Sequence, residues 1–308
     1  MNIDKAIEEC LADLSLSKAT ERTYKNGINN FLIFLRKENI HPTDEITLLN
    51  VDHFISFMPW LDKNYSKQTS GVYGAGAKAF MNYLVITKVL TLSYLDTLRF
   101  NKSALRSHRR HEDKLPRFPE KDDVEKMLSA VHLYNEITPR KERNIALLEF
   151  LASSGCRISE ITALNVQNID LDNRSVIVTG KGSKERLVFF SQAAADALLL
   201  YWKSRKSSMA TDPAFGRHDR GAGHKRIKRM TPTTARNIVK EISIIAGIDP
   251  TKFSPHYFRH AFAIRVLSET GNLALAQDLL GHKDPKSTRV YAKIRSEDLR
   301  DKHRLIFK

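Results

Sequence analysis

The stretch HYFRHAFAIRV spans residues 256–266, and the stretch LLGHKDPKSTRVY follows at residues 279–291. His256 and His260 are four residues apart, a spacing with which two histidines of one helix can hold zinc. Arg259 and Arg265 stand beside them, however, and the first stretch contains no acidic residue. Cations next to a cation site are unfavourable, so the pattern argues against a metal site. Arginine, histidine, lysine and tyrosine together suit a site that stabilises negative charge, and a phosphodiester under attack is the natural candidate.

The chain is strongly basic, with 50 Lys and Arg against 35 Asp and Glu, a formal net charge of +15 and a pI near 9.7. A polyanion is therefore the expected partner. The excess is local: residues 1–100 hold 11 basic and 11 acidic residues, whereas residues 203–229 hold 9 and 2. A second basic stretch, residues 99–117, contains Pro116 and is expected to be an interdomain linker. We interpret both stretches as phosphate contacts, with a solvated surface as the alternative.

Length and composition favour two globular domains in a cytoplasmic protein. The 308 residues suffice for two ordinary domains. No apolar run approaches the ~18 to 20 residues that span a bilayer, and the N-terminus lacks the layout of a signal peptide. Cys10 and Cys156 lie far apart and form no CxxC motif, which argues against a disulfide framework or a thiolate metal site. Both are expected to be buried thiols.

The N-terminal part is predicted to be a small helical bundle. Ser17 and Ser66 are expected N-caps of two amphipathic helices, because apolar residues recur at helical spacing after each serine. Short helices near 3–13 and 51–58 bring the number to about four. The second long helix contains three glycines, Gly71, Gly74 and Gly76. They form no phosphate loop, since no strand precedes them and no Lys-Ser/Thr follows, so close helix packing or a close approach to DNA is the expected reason for them.

The part from about residue 118 is predicted to mix helices with one hairpin. Residues 174–190 alternate in polarity around Gly180, Lys181 and Gly182, which is typical of a β-hairpin. Helices are predicted within EKDDVEKMLSAV and ERNIALLEFLASSG and near 191–206, 231–246, 256–269 and 272–280. The predicted fold class is mainly α with a small β-sheet, as an N-terminal helical bundle followed by a mixed α+β domain.

Five motifs occur in the order and spacing of the tyrosine recombinases, the integrase and Xer-type site-specific DNA recombinases: GCRISEITAL (155–164), GKGSKER (180–186), HYFRH (256–260), LGHKD (280–284) and Tyr291. The chain resembles that family over about 118–308. The resemblance implies a core-binding domain at 1–100, a basic linker at 101–117, and a catalytic domain at 118–308 that ends in an exchange tail at 296–308. The two domains would form a C-shaped clamp around duplex DNA.

The resemblance also implies a catalytic set. Carried over motif by motif, it falls on Arg157, Lys181, His256, Arg259, His282 and Tyr291. Tyr291 would attack the phosphorus, leaving a covalent 3′-phosphotyrosine, and the two arginines would bind transition-state oxygens in place of a metal. Lys181 would protonate the departing 5′ oxygen. One histidine, His256, would hydrogen-bond phosphate or help deprotonate the tyrosine, and the other, His282, would donate to a non-bridging oxygen.

Further residues are expected to support this set. Glu160 is expected to orient Arg157 or a neighbour, and His260 to be a structural, hydrogen-bonded residue. Lys184 and Arg186 are interpreted as phosphate contacts or solvated hairpin residues. The remaining DNA-contact candidates lie in the two basic stretches: Arg106, Arg109, Arg110, Lys225, Arg226, Lys228 and Arg229.

The implied reaction is strand exchange through a Holliday junction, without metal, cofactor or small-molecule substrate. The implied partners are double-stranded DNA with inverted-repeat half-sites and further protomers, as a homotetramer or a heterotetramer with a related recombinase. The expected location is the cytoplasm, in association with the nucleoid. Relaxation of DNA like that of a type IB topoisomerase and a catalytically idle DNA-binding accessory protein are the alternatives. The lack of an extra N-terminal arm-binding domain favours a simple Xer-like enzyme over the integrase of a mobile element, but leaves both open.

Overall fold

The computed structural model describes residues 1–15, 17–107, 122–134, 137–180, 185–205, 209–218, 227–251 and 253–281. The chain divides into two compact units, Met1–Lys114 and Leu115–Lys308. The described residues are mostly helical, with a three-stranded and a two-stranded sheet, so the predicted fold class is confirmed. Among the described helices, none has the length and apolar character needed to cross a bilayer.

The N-terminal unit consists of helices around an aromatic core. Its helices are α1 (Ile3–Asp13), α2 (Lys18–Lys37), α3 (Val51–Asn64), α4 (Lys67–Ile86) and α5 (Tyr94–Ser107), with a 3₁₀ turn at Ile46–Leu48. Phe31 lies at the centre, and its ring centroid is 4.5 Å from that of Phe54 and 5.1 Å from that of Phe57. All three rings are buried. Aromatic pairs in such offset and edge-on arrangements add to the stabilisation from buried area.

Two of the predicted helix starts are confirmed. The Ser17 hydroxyl accepts a hydrogen bond from the backbone N–H of Thr20 at 3.3 Å, and the Ser66 hydroxyl accepts one from Thr69 at 3.3 Å. Each serine thereby satisfies one of the amide donors that a helix start leaves without a partner.

The described part of this unit has five α-helices rather than about four. The sequence pattern missed α5, because among its described side chains Leu95 and Leu98 are exposed and Phe100 is the apolar residue that enters the core. Ser93 marks its start, since the hydroxyl accepts from the backbone N–H of Asp96 at 3.1 Å. The helix continues to Ser107, so residues 101–107 of the predicted linker are helical.

Close packing of α2 against α4 depends on glycine. A Cβ on Gly76 would lie 2.7 Å from the Tyr24 carbonyl oxygen, and a Cβ on Gly27 would lie 2.4 Å from the Tyr73 carbonyl oxygen. The packing expected for Gly76 is therefore confirmed, and Gly27, which the sequence pattern did not single out, is its counterpart. A Cβ on Gly74 would meet Met58, again as expected, whereas at Gly71 it would meet open space.

The C-terminal unit combines helices with a small antiparallel sheet. Its helices are α6 (Asp123–Leu133), α7 (Arg140–Ser154), α8 (Ile158–Ala163), α9 (Gln192–Ser204), α10 (Pro232–Ile245), α11 (Pro255–Thr270) and α12 (Leu273–Leu280), with a 3₁₀ turn at Val166–Asn168. Its strands are β1 (Ile169–Asp170), β2 (Ser175–Thr179), β3 (Glu185–Phe189), β4 (Gly216–Arg217) and β5 (Lys228–Arg229). The longer elements were predicted; α8, β1, β4 and β5 are too short to show a periodic pattern.

The predicted hairpin is formed by β2 and β3. The two strands are antiparallel, with Val176 opposite Val188 and Thr179 opposite Glu185. Val176, Val178 and Val188 point into the core, while Ile177 and Leu187 on the other face are exposed. The register therefore sets which hairpin side chains reach the core.

Helix α7 forms the centre of this unit, because it is apolar on several faces. Leu147, Leu148, Phe150 and Leu151 are all fully buried, and α6, α9 and α11 pack around them. Cys156 follows this helix and is buried like Cys10 of α1, as predicted for both thiols. Burial raises the pKa of each thiol to about 11, so neither is reactive at neutral pH.

Candidate active site

The site is built where α7 ends and α8 begins. Gly155 closes α7 in the left-handed conformation, with φ +61°, and a Cβ there would lie 2.6 Å from the Phe262 ring. This position therefore requires glycine for both backbone conformation and space. The chain then turns sharply, and Arg157 becomes the N-cap of α8.

Arg157 is held by a carboxylate but stays partly accessible. Its Nη1 donates to Glu160 Oε1 at 2.9 Å, and its backbone N–H donates to Glu160 Oε2 at 2.8 Å. The Arg157 side chain is 36% exposed, whereas that of Glu160 is 3% exposed. The expected pairing of Glu160 with Arg157 is thus present, and part of the guanidinium remains open to a ligand.

Arg186 of β3 binds the same carboxylate. Its Nη1 and Nη2 donate to Glu160 Oε1 and Oε2, each at 2.8 Å. Burial opposes ionisation of Glu160, but the hydrogen bonds from Arg186 and Arg157 prevail and lower its pKa to about 2. The side chain of Arg186 is 14% exposed, so the interpretation of Arg186 as a solvated hairpin residue is wrong.

Arg259 enters the site from α11 and joins three segments. Its Nη1 donates to the Gly155 carbonyl at 2.6 Å and its Nη2 to the Leu280 carbonyl at 2.5 Å. The residue is only 5% exposed. Burial, and to a smaller extent the positive charge of Arg157, lowers the pKa of Arg259 to about 10. Because this value is still well above 7, the guanidinium is cationic at neutral pH. Arg259 therefore brings positive charge to the α7–α8 corner and ties this corner to the end of α12.

His256 lies one turn before Arg259 on α11, as predicted. Its pKa is lowered by desolvation and then by the positive charges of Arg259, Arg157 and Arg236. His256 is consequently neutral at pH 7 and able to accept a proton. His260, one turn later, is partly buried, and desolvation followed by the charges of His256 and Arg259 lowers its pKa as well.

Two predicted DNA contacts lie on the described strand β5. Lys228 is exposed and stays a candidate. Arg229, in contrast, donates through Nη1 to the carbonyls of Thr162 at 3.0 Å and Leu164 at 2.8 Å, and through Nη2 to the Asn165 side chain. These bonds place its guanidinium at the end of α8. The residue is nevertheless exposed, like Lys228, so Arg229 also stays a candidate for a DNA contact.

The remaining predicted site residues lie outside the described residues: Lys181, Lys184, His282, Tyr291, Arg109, Arg110, Lys225, Arg226, the tail at 296–308 and the side chain of Arg106. Of the catalytic set, the structure thus brings together Arg157, Arg259 and His256. Lys181 follows directly after Gly180, at the end of β2, and His282 follows directly after Gly281, at the end of α12.

Neither Arg236 nor the pairing of Arg186 with Glu160 was predicted from the sequence. Arg236 lies on α10 and is exposed, yet its charge reaches His256. No motif marks it, because a single arginine on the polar side of a helix is an ordinary surface residue. The pairing of Arg186 with Glu160 joins residues 26 positions apart, and only the fold reveals such a contact.

The chemistry of the described site is that of an anion-binding pocket. Two guanidiniums and a neutral imidazole converge there, and the one buried carboxylate is already bound by two arginines. Within the described residues, no group of three or more histidine, cysteine or acidic side chains could hold a metal ion. Fixed cationic forks beside a group that can take a proton suit the charge that develops on phosphate oxygens during transfer.

Comparison with known proteins agrees with this chemistry. The profile of the Phage integrase family matches residues 117–298, which is more than half of the chain. Tyrosine recombinase XerD of Haemophilus ducreyi is 30% identical over 306 residues, covering 98% of this chain and 97% of that protein. Tyrosine recombinase XerC of Anoxybacillus flavithermus is 29% identical over 300 residues, covering 96% and 93%.

Solved structures of similar fold come from the same group of enzymes. The XerH site-specific recombinase bound to its palindromic difH substrate superimposes with a TM-score of 0.68 at 19% identity, over 94% of this chain and 80% of that one. The Tn1549 transposon integrase in complex with transposon right-end DNA gives 0.69 at 15% identity, over 97% and 99%. Sequence profile, relatives and fold agree with the arginine pocket, and the chain belongs to the phage integrase family, the tyrosine recombinases.

Proposed function

We propose that this protein is a site-specific DNA recombinase that cuts and rejoins duplex DNA through a 3′-phosphotyrosine at Tyr291. The observation that carries the proposal is the position of Arg259, which binds the carbonyl of Gly155 and so stands beside Arg157 in a pocket for an anion. Xer-type relatives that align along nearly the whole chain support the same activity.

The first half of the reaction forms the covalent intermediate. The Tyr291 oxygen attacks the scissile phosphorus, the bond from phosphorus to the 5′ oxygen breaks, and Lys181 gives its proton to that oxygen. Arg157 and Arg259 stabilise the extra negative charge on the non-bridging oxygens, and His282 donates to one of them. In the second half, the 5′ hydroxyl of the partner strand attacks the phosphotyrosine and releases Tyr291, so no ATP is consumed.

His256 suits the removal of the tyrosine proton. Since its pKa is lowered, the ring is neutral at pH 7 and can accept a hydrogen bond or a proton from Tyr291. The same three positive charges that lower its pKa also attract the phosphate to its side of the pocket.

The proposed substrate is duplex DNA with inverted-repeat half-sites. Four protomers, all identical or shared with a related recombinase, would pair two sites and exchange strands through a Holliday junction. Such a DNA substrate would place the protein in the cytoplasm, at the nucleoid. Both resolution of chromosome dimers and integration of a mobile element are compatible with this chemistry.

Covalent capture tests the function. A duplex carrying the cognate site with a nick one nucleotide from the cleavage point loses a short fragment on cutting, which traps the protein on the DNA. We expect a protein–DNA adduct on denaturing gels, at the same yield with excess EDTA as with Mg²⁺. An idle accessory protein would give no adduct, and a topoisomerase would relax plasmids lacking the site at the same rate as plasmids carrying it.

The tail at 296–308 is proposed to dock on a neighbouring protomer. Ser296 could cap a short helix whose Leu299, Ile306 and Phe307 are apolar, too small a segment to form its own core. An apolar cavity of about 480 Å³ between β3, α11 and α12 offers a receiving surface, lined among others by Phe189, Phe262, Val266 and Leu275. An apolar cavity of this kind is suited to bind the apolar face of an amphipathic helix.

Deletion of 296–308 should spare DNA binding by one protomer but reduce synapsis of two sites several-fold. Leu275→Glu, at the exposed edge of the cavity, should reduce synapsis in the same way. Ile244→Glu, at an exposed apolar position outside the cavity, should not. Native gel shifts with one and two sites separate the two steps. A truncated protein that recombines at the normal rate would show that the tail packs within its own chain or has no role in assembly.

A further inference from the structure

Arg186, in the GKGSKER motif, contacts residues of two other motifs, GCRISEITAL and LGHKD. It lies on β3, two residues beyond Lys184, and both ends of its fork bind the Glu160 carboxylate at 2.8 Å. The same carboxylate holds the backbone and the side chain of Arg157. Arg186 is therefore connected to Arg157 through a single shared carboxylate.

The stem of Arg186 packs against the end of α12. A Cβ on Gly281 would lie 2.5 Å from Arg186 Cδ and 3.0 Å from its Nε, and Gly281 has a φ of +62°. Glycine adopts that backbone conformation without strain and leaves room for the arginine. Gly281 directly precedes His282, so Arg186 contacts the backbone from which the LGHKD motif continues.

The charges of this cluster favour a role beyond stability. One carboxylate shared by two guanidiniums leaves a net charge of +1, and the exposed member is Arg157 rather than Arg186. Without Arg186, Glu160 would neutralise Arg157 alone. A buried ion pair by itself is weak evidence for stabilisation, because desolvation offsets most of the attraction.

We propose that Arg186 is a positioning residue of the cleavage reaction. It fixes Glu160, so that Glu160 holds Arg157 in place for the scissile phosphate, and Arg186 itself does not touch the DNA. This inference rests on the proposed function, and it assigns a role to a residue whose two terminal nitrogens both bind Glu160.

The variant Arg186→Met tests this role, since it keeps the packing volume and removes the fork. We expect covalent cleavage of the nicked substrate, at saturating protein, to slow by up to about 100-fold, the effect of misplacing a catalytic group by roughly 1 Å. Arg174→Met removes an exposed arginine from the turn before β2 and should cleave like wild type. The DNA dissociation constant and its salt dependence should be unchanged in both variants.

Salt dependence separates this role from a phosphate contact. Loss of one phosphate contact weakens binding and reduces the slope of log K against log salt by about 1. A reduced slope in Arg186→Met would therefore overturn the proposal, as would cleavage at the wild-type rate.

The pH profile separates positioning from a merely structural role. Of the hydrogen bonds that keep the pKa of Glu160 low, the one from Arg186 has the largest effect. In Arg186→Met this pKa therefore rises. As the pH is lowered, cleavage should be lost at a higher pH than in the wild type. Arg186→Lys should recover part of the rate and part of the profile. Glu160→Gln removes the titrating group, so adding Arg186→Met to it should cause no further loss and no shift in pH profile.

A slow Arg186→Met variant with an unshifted pH profile would indicate general damage and overturn the proposal. Thermal unfolding identifies variants that do not fold, and Arg186→Lys then provides the comparison. The proposed function is tested separately from the role of Arg186. If the wild-type protein forms no adduct with DNA, the proposed function is wrong. If Arg186→Met forms the adduct at the wild-type rate, only the positioning role is wrong.

Discussion

Tyr291→Phe is expected to abolish covalent capture of DNA while leaving DNA binding intact. The substitution removes one oxygen, the proposed nucleophile, and keeps the rest of the side chain. Among the residues that the structure describes, Arg157 and Arg259 are already held by Glu160 and by backbone carbonyls. The pocket should therefore still bind the scissile phosphate. Denaturing gels with the nicked substrate measure the adduct, and native gels measure binding.

A second tyrosine serves as the matched control for this variant. Tyr257→Phe, on α11 beside His256, removes a hydroxyl that donates to Asp123 of α6. It is expected to lower stability rather than to prevent capture. An adduct of normal yield in Tyr291→Phe would transfer the role of nucleophile to another residue.

Lys181→Ala is expected to cut ordinary DNA about 10² to 10⁴-fold more slowly, the usual contribution of general acid catalysis. An alkoxide leaves poorly unless a proton arrives as its bond to phosphorus breaks. A thiolate needs no such help, because thiol pKa values lie near ~8.5. With sulfur at the bridging 5′ position, Lys181→Ala should therefore cleave at nearly the wild-type rate.

Arg157→Ala is the control for this sulfur rescue. Its proposed work is on the non-bridging oxygens, which the sulfur substrate leaves unchanged, so the variant should stay slow on both substrates. Equal failure of both variants on the sulfur substrate would show that Lys181 only anchors phosphate. The general acid would then be sought in Lys184 or in a histidine.

The sequence predicted those features of the fold and the site that leave a local pattern. Ser17 and Ser66 precede long amphipathic helices, and both act as N-caps. Alternation around Gly180 predicted the hairpin of β2 and β3. The three-residue step between Arg157 and a carboxylate at Glu160 fits about one helical turn, and the pair is formed.

Features that depend on distant contacts could not be predicted in this way. In helix α5, Leu95 and Leu98 are exposed and Phe100 is buried, so its described apolar residues do not form the periodic pattern that predicts a helix. Arg229 lies in a basic stretch and Arg186 in the GKGSKER motif, yet Arg229 also bonds to carbonyls at the end of α8, and Arg186 binds Glu160. Which arginine faces DNA is decided by tertiary partners, and charge along the chain does not reveal them.

The identity of the amino acid that becomes joined to DNA decides whether Tyr291 is the nucleophile. The wild-type protein would be trapped on the nicked substrate in EDTA, digested with nuclease and trypsin, and its peptides sequenced by mass spectrometry. We expect a nucleotide linked through its 3′ phosphate to Tyr291, in the tryptic peptide VYAK at residues 290–293. A nucleotide on any other residue, or linkage through a 5′ phosphate, would contradict it.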